Sequence, residues 1–407
     1  MGSGRSRSPA TADAALRVAI VFGTFPPERN GGADFVARFS AAIAERGAAA
    51  HVLTSPTPGT AEREQLDSGV TVHRVVDDWT LAKPGREGVR RIDELLVTER
   101  VDVLHVFFPD SVLQSRYQVP AALGLGRIPL VTTFWNLGLG RRSPAAIKLE
   151  ALALLARSAV LTSHDPGYLR ALRLGAGWAR PVHWLPVGTN LDRPAGRDGP
   201  AVRARLGVGD APLLGYFGHL DFTRGVEDLF QTLALLRRRR DVRLAMIGAT
   251  GEHGGRYRGL ARELGIESAV VWTGYLPAAD AADMLAAVDL CVLPYRRNSL
   301  GRSALAAALA VGAPTILGGS PARIAPLRTG KHVELVPPGD VERLAALVGE
   351  LLDDPGRRSR LSTGARSGSR LFAWPRIAMS ALALYREATR RKIAYPFRSR
   401  GFAATSS

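Results

Sequence analysis

The chain has 407 residues, about two to three times the usual domain length, which predicts two domains. Hydrophobic residues make up 46% and charged residues 22%, a composition that excludes wholesale disorder. Lysine and arginine outnumber the acids by 54 to 37, giving a net charge of +17, which indicates either a phosphate-rich partner or simply an arginine-rich composition. The single cysteine, Cys291, excludes a disulfide framework and a zinc ribbon, and it fits a reducing cytoplasm.

The first half of the chain reads as an α/β domain. Residues 1–15 lack the apolar core of a secretory signal and are expected to form a flexible tail. Residues 16–191 are expected to form an N-terminal Rossmann-like domain on one side of a cleft. Strands are expected at 16–22, 50–54, 70–75, 101–108, 129–134, 159–163 and 182–187. Several of them are unbroken apolar runs, which favours a parallel sheet covered on both faces.

A second α/β unit follows a segment rich in proline, glycine and charge at 192–200, which we interpret as the linker. Residues 201–373 are expected to form a C-terminal Rossmann-like domain on the other side of the cleft. Strands are expected at 212–217, 242–247, 270–273, 290–294, 314–317 and 332–336. Cys291 lies in an apolar run and is expected to be buried in a strand, and Asp340 is expected to cap the helix that follows it. The most apolar stretch, 303–319, is interrupted by glycine and proline, so no membrane span is expected.

The chain ends with a predicted helix at 374–392 and a basic tail at 393–407. The whole pattern predicts two doubly wound α/β domains that face each other across a cleft. In such folds, ligands bind where the carboxyl ends of the parallel strands meet, so the cleft is the place to look for chemistry.

The order and spacing of several motifs resemble the retaining glycosyltransferases of family 4, which have the GT-B fold. These motifs lie at 25–32 (FPPERNGG), 102–106, 129–133, 185–190, 218–225 (GHLDFTRG), 246–248, 273–274, 289–294 and 339–340. Residues 372–385 resemble the family's final helix, which crosses back to the first domain. The resemblance covers most of the chain, and it implies a nucleotide-diphosphate sugar as the donor with no cofactor.

The resemblance implies that two loops touch the donor. Gly31 and Gly32 open a helix, where free backbone N–H groups can approach an anion or a sugar closely. The second loop contains Gly218, His219, Arg224 and Gly225, and Gly248 is expected to contact the donor as well. The family usually carries arginine and lysine at the positions of His219 and Arg224. A fixed cation there stabilises the charge that grows on the departing diphosphate, so Arg224 is expected to be catalytic.

The largest departure from the family is the loss of its two glutamates, where this chain has Asn298 and Ala306. Leu300, Gly301, Arg302 and Ser303 are expected to begin a helix whose N–H groups form a nest for the diphosphate. Asn298 is expected to face the donor sugar and to be catalytic. The alternative reading is that the missing carboxylates signal a changed donor or a lost activity.

The acceptor side also departs from the family. Trp135 stands where members commonly have a histidine; tryptophan can stack on a sugar but cannot act as a base. Trp135 and Asn136 are therefore expected to border the acceptor and to be catalytic by position. His105 matches a family histidine that is often merely packed, and we expect it to bind the acceptor. No spaced pair of aspartates follows a strand, so no metal is expected.

The sequence thus predicts a metal-independent, retaining glycosyltransferase that acts on a hydroxyl acceptor, either lipid-linked or a small metabolite. Arg141, Arg142 and Lys148 precede the apolar stretch 149–156, which indicates either contact with an anionic membrane surface or a solvated face. The expected location is cytoplasmic, with peripheral membrane contact left open. No nucleic-acid-binding signature is present. The alternatives are a non-catalytic binding protein and a nucleotide-sugar epimerase or hydrolase of the same architecture.

Overall fold

The computed structural model describes residues 15–28, 30–75, 83–108, 128–135, 137, 139–140, 145–176, 179–191, 196, 199–220, 222–296 and 300–391. Nearly all of the expected N-terminal tail, most of the linker, the basic tail, Arg141 and Arg142 lie outside these ranges. The division of the chain at 192–200 therefore stays a prediction.

The first sheet is built by the strands of the N-terminal half. Its elements are β1 (Arg17–Val21), α1 (Gly31–Ala44), β2 (Ala49–Thr54), β3 (Arg63–Gln65), β4 (Val70–Arg74), α2 (Lys83–Thr98), β5 (Val103–Phe108), β6 (Leu130–Phe134), α3 (Ala145–Arg157), β7 (Val160–Ser163), α4 (Pro166–Gly175) and β8 (Val182–Trp184). The strands lie in the order β3-β4-β2-β1-β5-β6-β7-β8. Every pairing is parallel except that of β3 with β4. The edge strand β3 was not predicted, because Arg-Glu-Gln gives no apolar pattern.

The second sheet follows the same plan. Its elements are α5 (Gly199–Arg205), β9 (Leu213–Phe217), α6 (Val226–Arg237), β10 (Arg243–Ile247), α7 (Gly254–Glu263), β11 (Val270–Trp272), α8 (Ala278–Ala286), β12 (Leu290–Leu293), α9 (Ser303–Val311), β13 (Thr315–Gly318), α10 (Pro321–Ile324), β14 (Glu334–Val336), α11 (Val341–Asp353), α12 (Pro355–Ser369) and α13 (Trp374–Arg390). The parallel strands lie in the order β11-β10-β9-β12-β13-β14. Two doubly wound α/β sheets confirm the predicted fold class.

The burial pattern explains why these segments form strands. Each residue of β5 and of β12 is buried, as expected for a parallel sheet with helices on both faces. Cys291 is fully buried in β12, as predicted, and burial raises the pKa of its thiol to about 12, so the thiol is unreactive at neutral pH. The predicted cap of α11 is also present, since Asp340 accepts a hydrogen bond from the Arg343 backbone N–H at 2.9 Å.

The last helix, α13, follows the second sheet in sequence but packs on the first. Ile377, Ala381 and Tyr385 are fully buried in a cluster that includes residues of α1 and β5. At its start, Trp374 Nε1 donates a hydrogen bond to the Thr189 carbonyl at 2.8 Å. The helix therefore ties the two sheets together. Within the described ranges, no helix combines the length and hydrophobicity needed to cross a bilayer.

Candidate active site

The carboxyl ends of β9 and β10 meet in a crowded glycine-rich junction. Gly218 follows β9 with φ +131°, and a Cβ there would lie 3.3 Å from Arg224 Nη1 and 3.7 Å from Ala304 Cβ. Gly248 follows β10 with φ +121°, and its Cβ would lie 3.7 Å from the Gly218 carbonyl oxygen. Both backbone angles favour glycine. The junction therefore brings the predicted residues Gly218, Arg224 and Gly248 together.

Two arginines lie near Tyr295, which is fully buried just after β12. The guanidinium carbon of Arg302 lies 4.9 Å from the Tyr295 ring centroid, and Arg302 Nη2 donates to Thr223 Oγ1 at 3.0 Å. Burial raises the pKa of Tyr295, and the nearby charges of Arg224 and Arg302 act against that rise. Arg224 and Arg302 are thus neighbours, and two adjacent guanidinium forks suit the oxygens of a diphosphate.

The loop that carries Arg224 is held rigidly. Gly225 has φ +68°, and a Cβ there would lie 2.1 Å from the Pro294 carbonyl oxygen. Arg296 donates from its backbone N–H to the Thr223 carbonyl at 2.9 Å and from Nε to Asp228 Oδ2 at 3.0 Å. This packing explains a glycine at 225 without any ligand. Its effect is to fix Arg224 before a substrate arrives.

The start of α9 differs from the prediction. The helix begins at Ser303, with Arg302 at the N-cap position in an extended conformation (φ −130°), rather than at Leu300. Leu300 is fully buried, so its side chain belongs to the core and only its backbone is left for a donor. A Cβ on Gly301 would lie 3.6 Å from His164 Cβ of the first domain. The first turn of α9 therefore faces the boundary between the two sheets.

The first domain presents the N-terminus of α1 to the same boundary. Asn30 caps this helix, since its Oδ1 accepts a hydrogen bond from the Ala33 N–H at 2.8 Å. A Cβ on Gly31 would lie 3.9 Å from His219 Nε2, which places His219 against this helix start. A Cβ on Gly32 would come within 2.8 Å of the Phe22 ring, so glycine is needed there for packing.

The pKa of Asp34, in the first turn of α1, is affected by a residue of the second half of the chain. Burial raises the pKa of Asp34, while the charges of Arg38 and His219 lower it. His219 therefore lies close enough to α1 for its charge to act across the boundary. The glycine-rich start of α1 and the His219 loop, both predicted to bind the donor, face each other.

An aromatic wall lies on the side of the boundary where the acceptor is expected. The half-buried Trp135 ring lies 4.2 Å from the His164 ring and 5.3 Å from the Phe35 ring, measured between centroids. Trp374, at the start of α13, lies 5.7 Å from Phe35. Apolar ring faces of this kind suit the carbon face of a sugar. The neighbouring Asn136, like Asn298 on the donor side, lies outside the described residues, so both stay predictions.

His105 requires a correction. It is fully buried in β5, with Nδ1 2.7 Å from the Tyr385 hydroxyl and Nε2 2.7 Å from Thr133 Oγ1. Burial, assisted by His164, lowers the pKa of His105 to about 3, so the imidazole is neutral. Both ring nitrogens serve the core and link β5 to α13. The expected contact between His105 and the acceptor is wrong for this arrangement.

Two residues after β7 form part of the boundary although neither was predicted as a site residue. His164 is buried, its Nδ1 donates to the Leu185 carbonyl, and burial lowers its pKa to about 4. Asp165 caps α4 by accepting from the Gly167 N–H at 2.6 Å. Burial raises the pKa of Asp165, and the charges of Arg323 and Arg302 oppose that effect. In the sequence, only the position of His164 and Asp165 directly after a predicted strand indicates a place in the site.

Family models match both halves of the chain. Residues 29–193 match "Glycosyltransferase Family 4", and residues 211–354 match "Glycosyl transferases group 1". The first match covers the first sheet except β1, and the second match covers the second sheet. The stretch between them, 194–210, includes most of the predicted linker.

Curated relatives agree with these matches. A D-inositol 3-phosphate glycosyltransferase of Xylanimonas cellulosilytica is 33% identical over 52% of this chain and 52% of its own length. D-inositol 3-phosphate glycosyltransferase 1 of Catenulispora acidiphila is 30% identical over 64% of this chain and 67% of its own. A GDP-mannose-dependent α-(1-6)-phosphatidylinositol monomannoside mannosyltransferase of Mycolicibacterium smegmatis is 26% identical over 85% and 92%. The chain spans about half the length of some relatives, 52% and 49% for two of them.

Solved structures show the same architecture. Sucrose-phosphate synthase from Thermosynechococcus elongatus superposes with a TM-score of 0.73 at 20% identity, over 91% of this chain and 98% of that one. Anabaena HepE in complex with UDP-glucose gives a TM-score of 0.71 at 17% identity, over 91% and 99%. At such identities the likeness shows the fold alone. Taken with the two family models and the relatives, it establishes that this chain belongs to glycosyltransferase family 4, with the GT-B architecture.

Proposed function

We propose that this protein moves a sugar from a nucleotide-diphosphate sugar to a hydroxyl acceptor, with retention of anomeric configuration and without a metal in the transfer step. The observation that carries this proposal is the placement of Arg224 and Arg302 near Tyr295, where the carboxyl ends of β9 and β12 face the first domain. This is the point in an open α/β sheet where ligands bind. Membership of family 4 supports the same reaction class.

The two arginines suit the transition state better than the ground state. As the glycosidic bond lengthens, negative charge accumulates on the departing diphosphate, and a preorganised cation stabilises that charge more than it stabilises the bound donor. Arg224 is preorganised because Gly225 is pinned against Pro294 and Arg296 holds the preceding carbonyl. The guanidinium groups supply the positive charge that a divalent cation supplies in other transferases.

We propose retention because the histidine near the aromatic wall is a poor base. His164, the histidine that packs against Trp135, is buried, and its pKa of about 4 makes it a poor proton acceptor at neutral pH. In the proposed reaction the acceptor hydroxyl attacks the face from which the diphosphate leaves. The C–O bond to the acceptor forms, the bond to the diphosphate breaks, and the hydroxyl proton passes to a phosphate oxygen. No protein base is then required.

The acceptor is proposed from the relatives and from the surface of α3. Two relatives bear the name of an inositol phosphate glycosyltransferase and one that of a phosphatidylinositol monomannoside mannosyltransferase. We therefore propose a polyhydroxy acceptor that carries a phosphate, either free or as part of a lipid. Leu149 and Leu152 on α3 are 68% and 52% exposed, which favours the lipid-linked form at a membrane surface.

A donor screen tests the proposal. The protein is incubated with a panel of nucleotide-diphosphate sugars, with and without inositol phosphate or phosphoinositide acceptors, after chelator treatment and with or without added Mg²⁺. We expect one donor to raise the melting temperature, acceptor-dependent release of nucleotide diphosphate that Mg²⁺ does not change, and a product with the donor's anomeric configuration by NMR. Binding without turnover would favour a non-catalytic protein. Donor consumption without an acceptor would favour an epimerase or hydrolase.

A further inference from the structure

A second group of polar side chains lies on the first sheet, outside the cleft. His51 of β2 and His73 of β4 face each other, with His51 Nδ1 3.2 Å from His73 Nε2. Glu99, directly after α2, reaches both rings: Oε2 lies 3.9 Å from His51 Nδ1, and Oε1 lies 3.9 Å from His73 Nε2. All of these ligand atoms lie within 4.8 Å of one another.

The strand register creates this cluster. In the parallel pairing of β2 with β4, His51 is opposite Thr71 and Leu53 is opposite His73, so both histidines project from the same face of the sheet. Arg17, the first residue of β1, donates from Nη1 to the Glu99 carbonyl at 3.0 Å. The Glu99 backbone therefore lies within reach of the start of β1, while His73 is the fourth of the five residues of β4. The cluster shares no residue with the candidate active site.

The side chains of His51, His73 and Glu99 offer the kinds of ligand atom that a zinc-class ion prefers. Zinc binds histidine nitrogen and carboxylate oxygen at about 2.0–2.2 Å, so ligand atoms in a tetrahedral site lie about 3.3 Å apart. The nitrogen pair already has this separation, and a small rotation of Glu99 would close the two longer distances.

A hydrogen bond between the two rings also explains the 3.2 Å contact. That hydrogen bond does not explain why the Glu99 carboxylate faces both nitrogens. One cation competes with a metal for that carboxylate, since Arg63 Nη2 lies 3.4 Å from Glu99 Oε1. The charges of Arg17 and Arg63 also act on His51 and oppose a further positive charge there. The Arg63 side chain is 61% exposed, so it can turn to solvent when an ion binds.

We propose that His51, His73 and Glu99 bind a divalent zinc-class ion, with water completing the coordination, and that this ion clamps β2, β4 and the end of α2 together. The Glu99 side chain is 20% exposed, against 7% for His51 and 2% for His73, so the ion and its water enter from the side of the carboxylate. The role is structural and independent of sugar transfer.

The test uses the full chain without an affinity tag, stripped of metal with a chelator. Zn²⁺ is titrated in competition with a chromophoric chelator, and Co²⁺ is titrated to record its visible absorption. We expect one ion per chain, the intense bands of tetrahedral Co²⁺, and a melting temperature that rises with Zn²⁺. Glu99→Gln keeps the histidine pair and the side-chain size, and we expect it to weaken Zn²⁺ binding by at least about tenfold. Glu94→Gln, an exposed position on α2, is the matched control and is expected to bind like the wild type.

His51→Gln and His73→Gln complete the series, with circular dichroism to show that each variant is folded. We expect both to lose the tetrahedral Co²⁺ bands. A wild-type protein that gains no more thermal stability from Zn²⁺ than Glu99→Gln does would overturn the proposal and leave a hydrogen-bonded histidine pair. So would Co²⁺ bands that survive in His73→Gln. Neither result bears on the proposed transferase activity, which is measured separately.

Discussion

A single side chain, Arg224, carries most of the proposed catalysis. We expect Arg224→Ala to lower kcat by about a hundredfold or more, because one preorganised cation at the developing charge is lost. Arg224→Lys keeps the charge but loses the bidentate geometry of the guanidinium group. Its kcat should therefore lie between those of the wild type and of Arg224→Ala. Initial rates at saturating donor measure the effect, and Arg239→Ala, an exposed arginine after α6, is the control. An unchanged kcat in a folded Arg224→Ala protein would place the diphosphate elsewhere.

His105 provides the opposite kind of prediction. His105→Ala leaves the Tyr385 hydroxyl without its buried partner, removes one of the two partners of Thr133 Oγ1 and opens a cavity, so we expect the free energy of unfolding to fall by about 2–5 kcal/mol. Urea denaturation measures this loss. The KM for the acceptor should not change once the assay temperature is low enough to keep the variant folded. A raised KM without loss of stability would restore His105 to the acceptor site.

The sequence could group the donor-site residues but not separate ligands from packing. Gly218, His219 and Arg224 were predicted from one motif, and the structure brings them to one boundary. Gly225 belongs to the same motif, and Gly32 belongs to the motif at 25–32. Their close contacts with Pro294 and Phe22 explain why these positions are glycine. His105 could not be placed from the sequence, because in a fully buried strand the polar residue has no distinct face. Its partner Tyr385 lies 280 residues away.

At the level of elements, apolar runs predicted buried strands well and polar edges poorly. The burial of Cys291 and the cap by Asp340 were both confirmed. The strand β3 was missed because its three residues are all polar. The start of α9 was placed three residues early, because the extended conformation of Arg302 depends on tertiary contacts with Thr223 and Tyr295 that local propensity does not contain.

The helix α3 tests the membrane proposal. Leu149 and Leu152 are 68% and 52% exposed, so Leu149→Ser with Leu152→Ser should leave the melting temperature unchanged. We expect this double variant to bind anionic lipid vesicles about tenfold or more weakly at 0.15 M salt, since each leucine side chain contributes apolar area to the interface. Vesicle sedimentation measures the difference. Val97→Ser, on the exposed side of α2, is the control. Equal binding by wild type and double variant would show that α3 does not contact the membrane.

For the whole molecule, buried histidines predict an acid-sensitive fold. His105 and His164 have pKa values of about 3 and about 4 in the folded protein, against about 6.5 in an unfolded chain. Below about pH 6.5 these two imidazoles alone make the unfolded state bind up to about two protons more than the folded state. His51 and His73, whose pKa values burial also lowers, add to this difference. Stability should be flat near pH 7 to 8 and fall as the pH drops from about 6.5 to 5.

Urea denaturation across this range measures the dependence of stability on pH. His105 and His164 should together contribute about 2.7 kcal/mol per pH unit to the slope at its steepest. His105→Gln removes one of these two groups and should lower the slope by about 1.4 kcal/mol per pH unit. A wild-type protein with constant stability from pH 7 to 5 would show that these imidazoles are protonated in the folded state.

The path of α13 has a consequence for biosynthesis. The core of the first sheet includes Ile377, Ala381 and Tyr385, although its strands end near residue 184. During translation, about two hundred residues of the second sheet must emerge before that core is complete. Until α13 has emerged, the apolar surface that α13 covers in the folded protein stays exposed on the nascent N-terminal half. Chaperones can bind such a surface. Cell-free synthesis halted after the second sheet, but before α13, is expected to yield a protease-sensitive first half.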